Sequence, residues 1–109
     1  MERRRSDRYR HKVRVSWSNS GEMGDGATWD ICRYGAFISS REIAPLNGVV
    51  EFEIDPGNGR DTVRCRGQVV WINQGQLEGY PPGFGIEFTD DEEKVRNLLN
   101  SLAENDMHP

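Results

Sequence analysis

Alternation of apolar and polar positions dominates residues 12–88. Lys12–Trp17 puts Val13, Val15 and Trp17 on one face and Lys12, Arg14 and Ser16 on the other, the period of a half-buried strand. A polar, glycine-rich stretch, Ser18–Gly26, reads as a loop. Ala27–Cys32 alternates again, with Trp29 and Ile31 facing one way and Thr28, Asp30 and Cys32 the other; Trp17 and Trp29 both read as core. Gly35–Ser40 is a short strand. Val49–Ile54 turns Val50, Phe52 and Ile54 inward and Glu51 and Glu53 outward. Asp55–Asp61 holds a Pro-Gly-Asn-Gly turn, since these residues supply fixed or positive φ. Thr62–Ile72 sets Val63, Cys65, Val69 and Trp71 against Arg64, Arg66 and Gln68. After a loop over Gln74–Gly83, Phe84–Phe88 alternates once more.

The period then changes. Val95, Leu98, Leu99 and Leu102 are spaced as one stripe of a helix. Thr89 with Glu92 fits a capping box, and Asp90, Asp91, Glu92 and Glu93 suit the positive end of the helix dipole. Five or six short strands followed by one helix predict a mainly β fold, a small antiparallel barrel. The expected layout is a single domain over 1–109: a flexible basic arm at 1–11, the barrel at 12–88, the helix at 89–105.

Composition narrows the function classes. A chain of 109 residues holds one core. No apolar run approaches a membrane span, and the start, Met-Glu-Arg-Arg-Arg, lacks a signal-peptide core; the expectation is a cytoplasmic protein without membrane insertion. Cys32 and Cys65 are too few for a disulfide scaffold. With His11 and His108 they do not reach metal-ligand spacing. Residues 1–14 carry seven basic groups against two acidic ones, a net of +5, so with a chain charge of −4 the other 95 residues carry −9. A basic arm on an acidic body fits an anionic ligand at the arm and argues against DNA or RNA along the body. Nothing reads as catalytic: no Ser–His–Asp ordering is present, Gly21–Gly26 lacks the lysine and helix of a phosphate loop, and Pro56 and Gly57 break a calcium-loop pattern at Asp55–Asp61. The expectation is a non-enzyme with no cofactor.

Two segments carry candidate chemistry. Arg3, Arg4, Arg5 and Arg8 crowd six positions, and Arg4 and Arg8 form an R-x-x-x-R pair. Guanidinium groups grip phosphate oxygens bidentately and stay charged at any working pH; the same run also fits a solvated arm. Asp30-Ile-Cys-Arg-Tyr-Gly35 is the second. A carboxylate at Asp30 can accept the N1–H and amino group of a guanine, or close an Asx turn. Cys32 leaves the strand on the same face as Asp30, or fills core space. Gly35 permits a turn or a close backbone approach. Trp71 fits the core by alternation and a base-stacking role by chemistry.

Taken in order, these segments resemble the PilZ domain family of cyclic di-GMP receptors over nearly the whole chain. Glu2–Arg8 resembles the family's R-x-x-x-R switch and Asp30–Gly35 its D/N-x-S-x-x-G motif. Gly67-Gln-Val-Val-Trp71 resembles its G-x-V-x-W strand, and Gly83–Phe88 its G-x-G-x-x-F final strand. The resemblance implies a six-stranded antiparallel β-barrel with a C-terminal helix. It implies a ligand site comprising Arg3, Arg4, Arg5, Arg8, Asp30, Cys32, Gly35 and Trp71. It further implies an arm ordered by cyclic di-GMP, which passes the signal to a partner protein. One departure stands out: the motif serine is Cys32, a weaker hydrogen-bond donor. It leaves two readings, a receptor of reduced affinity or an adaptor that has lost its nucleotide.

Overall fold

A computed structural model describes residues 12–55, 57, 59, 61–76 and 78–107. Six strands close into an antiparallel barrel: β1 (Arg14–Asn19), β2 (Glu22–Ile31), β3 (Gly35–Ser40), β4 (Val49–Asp55), β5 (Val63–Asn73) and β6 (Gly83–Phe88), followed by α1 (Glu92–Met107). Around the barrel the order is β1-β2-β3-β6-β5-β4, with β4 returning to β1. Closure leaves no free sheet edge.

The expected alternation is realised where a strand keeps strict register. Val13, Val15, Val50, Phe52, Ile54, Cys65, Val69, Phe84 and Ile86 fill the interior. Trp17 lies inside too, donating its indole N–H to Ser40 Oγ at 3.2 Å, the partner a buried tryptophan needs. Leu98 and Leu102 belong to the same cluster, so α1 closes the barrel end at which β6 finishes. Outside, β4 and β5 face solvent with two cross-strand ion pairs, Glu53–Arg64 at 3.0 Å and Glu51–Arg66 at 2.9 Å. Among the described residues no helix is long and apolar enough to cross a membrane.

Three expectations are corrected. Ser18–Gly26 is a hairpin, because Ser20 (φ 49°) and Gly21 (φ 90°) make a two-residue turn of left-handed residues. Gly24 is there for another reason: a Cβ on it would stand 2.5 Å from Trp17 Cζ2, so the glycine makes room for the indole across the strand pair. The helix cap is Asp91, whose Oδ1 accepts from Lys94 N–H at 2.8 Å, and not Thr89. Thr89 instead donates its N–H to Arg66 C=O at 2.9 Å and stays with the sheet. Trp29 is half-buried and outside the core cluster, for the reason given below.

Cys65 is a space-filler of the core. Burial, with the Asp90 carboxylate nearby, pushes its thiol up to about 12 from an ordinary 9.0. The folded thiol therefore stays neutral where the unfolded one ionises, and its contribution to stability holds below pH 9 and declines from there towards 12. Between pH 7.5 and pH 10, denaturant titrations should show the native chain losing about 1.4 kcal/mol more than Cys65→Ala. Equal losses would remove this account.

Candidate functional site

Two irregularities of register build the site. In β2 the pairing with β3 shifts between Thr28 and Asp30, a bulge at Trp29. Thr28 points inward, its Oγ1 accepting from Val13 N–H at 3.0 Å. Trp29 and Asp30 then both leave on the outer face, and Ile31 returns to the core. In β5 the pairing with β6 shifts between Val69 and Trp71, with Val70 as the extra residue. Val69 and Ile72 pack against the interior, while Trp71 is carried outside. The bulge is why Trp71, which alternation groups with Val63, Cys65 and Val69 in the core and base-stacking chemistry would put outside, is half-buried on the outer surface.

The result is one cross-strand row on the outer face. Asp30 pairs with Phe37, Phe37 with Gly85, and Gly85 with Trp71. A carboxylate stands at one end and an indole at the other, roughly 14 Å apart at the usual inter-strand spacing. Trp71 lies over Gly85, where a Cβ would meet its Cδ1 at 2.6 Å. Phe37 is covered by this arrangement: its ring sits 4.9 Å from that of Trp71 at 30° and it is 2% exposed. Tyr80, from the β5–β6 loop, joins Phe37, Trp71 and Trp29 at 5.1, 5.7 and 6.3 Å.

Beside the row lies the β2–β3 corner. Cys32 N–H donates to Gly35 C=O at 2.9 Å, leaving Arg33 and Tyr34 exposed at the tip. Arg33 Nη2 donates to the Tyr34 hydroxyl at 2.9 Å, and this contact pushes the guanidinium pKa up. Cys32 and Asp30 are buried, 2% and 4% exposed. A ligand reaches Asp30 only by displacing what covers it. Gly35 is buried against β6, and a Cβ on it would run into the Ile86 carbonyl. Sheet pairing alone therefore demands a glycine here.

The structure thus places Asp30 and Trp71 at the two ends of one outer row, with Cys32 and Gly35 buried at the corner that adjoins the Asp30 end. Arg3, Arg4, Arg5 and Arg8 lie outside the described residues. Phe37, Tyr80 and the outward Trp29 were not legible as site residues; the one available signal was the unalternating run Val69-Val70-Trp71-Ile72. Grooves also mark the described surface beyond the row. One, of about 550 Å³, runs along β1, β4 and β5; another, of about 500 Å³, separates the Arg33–Tyr34 corner from α1. Among the described residues no group of three or more His, Cys, Asp or Glu side chains could hold a metal.

The family model for the PilZ domain matches residues 2–105. Among solved structures, the PilZ domain of CeSA from a cellulose synthesizing bacterium is similar, with a TM-score of 0.68 and 19% sequence identity. That likeness covers 90% of this chain and 99% of the other, and at this identity it bears on the fold. No curated protein sequence matches the chain.

Proposed function

The chain belongs to the PilZ domain family, and from that premise we propose that it is a cyclic di-GMP receptor whose N-terminal arginines close over the ligand on the β2–β3–β6–β5 face. PilZ domains are generally non-enzymatic nucleotide-binding adaptors. One observation supports this site above others: the Trp29 bulge turns the Asp30 carboxylate to the outer face, beside the Cys32–Gly35 corner. Once a ligand displaces what covers it, a carboxylate on this face accepts both Watson–Crick donors of a guanine.

In this reading Arg4 and Arg8 hold the phosphates, with Arg3 and Arg5 extending the positive run. Residues 2–8 carry six charged side chains, of which four are cationic and cluster within one short stretch, so a ligand with two phosphates relieves their mutual repulsion. Docking the arm costs conformational entropy of about 1–2 kcal/mol per residue fixed, which the charge-assisted contacts exceed. The docked arm then offers a surface to a protein partner. Such a population shift requires that the ligand bind the docked state better than the undocked one. The ion pairs of Arg64 and Arg66 with Glu51 and Glu53 leave that side of the barrel unsuited to a nucleic-acid strand.

Calorimetric titration of the whole chain tests the proposal. Binding at tens of micromolar or tighter is expected, and no binding overturns it. Asp30→Ala should weaken binding roughly ten- to a hundredfold, the effect of losing a charged hydrogen-bond acceptor, while Arg96→Ala on α1 leaves it unchanged. Cys32 favours a second reading, an adaptor without nucleotide, because its thiol donates weakly where the family has serine. Cys32→Ser should raise the affinity. Neither form binding while a partner is still captured supports the adaptor.

A further inference from the structure

We infer that Tyr80 is a specificity-determining residue which, with Trp71, forms a two-sided aromatic corner for one guanine of the ligand. The inference rests on the cyclic di-GMP reading and deepens it. No motif passes through Tyr80; its placement comes from the loop that carries it. Asn73, at the end of β5 and 1% exposed, braces that loop with its side chain. Its Nδ2 donates to Tyr80 C=O at 3.2 Å and to Pro81 C=O at 2.9 Å. Its Oδ1 accepts from Gly75 N–H at 3.3 Å. One buried amide thus ties both ends of the loop, and Pro81 and Pro82 restrict φ directly after Tyr80.

The rings have a defined arrangement. Trp71 lies tilted by 30° over Phe37, making a floor. Tyr80 stands at 75° to Trp71 and 80° to Phe37, making a wall. Phe37 is covered, but Trp71 and Tyr80 are half-buried, each packed on one side and open on another. A closed barrel whose interior is already filled does not need an aromatic pile outside. This pile ends a strand row whose other end is Asp30. A ligand with two guanines that presents one to the carboxylate has its second base left without a π-surface. The corner supplies one, and stacking there favours a purine because its π-face is larger than a pyrimidine's.

The test titrates cyclic di-GMP, with cyclic di-UMP as the pyrimidine control, into the native chain, Tyr80→Phe and Tyr80→Ala, well below each melting temperature. Tyr80→Ala should lose about tenfold or more in affinity for cyclic di-GMP and narrow the gap to cyclic di-UMP. Tyr80→Phe should stay within about twofold of native, because the ring remains. Ligand should quench indole fluorescence in the native chain and less in Tyr80→Ala. If native protein binds and Tyr80→Ala binds equally well with the same base preference, Tyr80 merely packs and the inference falls alone. If native protein does not bind, the cyclic di-GMP reading falls and takes this inference with it.

Discussion

Replacing Arg4 and Arg8 together by alanine should lower cyclic di-GMP affinity by at least about a hundredfold. A hydrogen bond to a charged group contributes about 1.5–3 kcal/mol, and each guanidinium offers two in a fork that matches a phosphate. Losing one such bond per arginine already removes about 3–6 kcal/mol, which is two to four decades in the dissociation constant. The double lysine variant separates charge from geometry. Lysine keeps the positive charge but not the planar fork, so its affinity should fall between native and double alanine. Melting temperatures should agree across the three chains, since the described core, from Val13 through Leu102, contains neither residue. Titration in rising salt adds a second reading: the native affinity should decline with ionic strength more steeply than that of the double alanine variant. Native-like affinity in the double alanine chain would dismiss the arm as a ligand clamp.

Much of this fold was legible because a small closed barrel leaves little freedom. Its interior admits only one face of each strand, so β1, β4 and the first half of β5 show strict period two, and Val15, Phe52 and Cys65 are buried as that period predicts. The leucine stripe of α1 was legible for the same reason at period 3.6. The features that alternation does not reveal have a common physical cause. A bulge adds one residue to one strand and leaves at most a faint mark on the sequence, such as the unalternating Val69–Ile72, and everything beyond it exchanges faces. Strict alternation places Trp29 and Trp71 inward, and the two bulges turn them outward. Composition puts Gly24 in a loop, whereas it lies where the Trp17 ring crosses the neighbouring strand. Tyr80 was invisible because its position depends on Asn73, a side chain seven residues away that bonds to backbone. Asp30 was legible as a residue type in a motif. Its outward aim was reached by alternation from Thr28, and the bulge delivers Asp30 outward while leaving Thr28 inside.

Gly35→Ala should unfold the barrel more readily than any ligand role for this glycine would require. The added Cβ would meet the Ile86 carbonyl oxygen, with the carbonyl carbon at 3.1 Å and Glu87 Cα at 3.3 Å. All three are backbone atoms of β6, the strand paired with Gly35 opposite Glu87, and no rotamer change relieves the clash. The β3–β6 seam must open locally, at a cost of about 3 kcal/mol or more, which lowers the melting temperature by about 12 °C or more in a domain of this size. Gly21→Ala makes the contrast. Gly21 has φ 90° but nothing within 4 Å of a Cβ, so only backbone strain of about 1 kcal/mol is expected. Thermal melts of both variants decide between two meanings of the motif glycine. If Gly35 serves ligand approach, alanine lowers affinity and leaves the melt unchanged. If it serves the seam, the melt falls first, and affinity measured where the variant is still folded changes only as far as the corner from Cys32 to Gly35 has moved. Gly35 is absent from the residues with positive φ, so its conformation is open to alanine and only the proximity of β6 forbids the side chain. The expected result is the fall in stability, because the atoms that a Cβ would strike belong to the barrel itself.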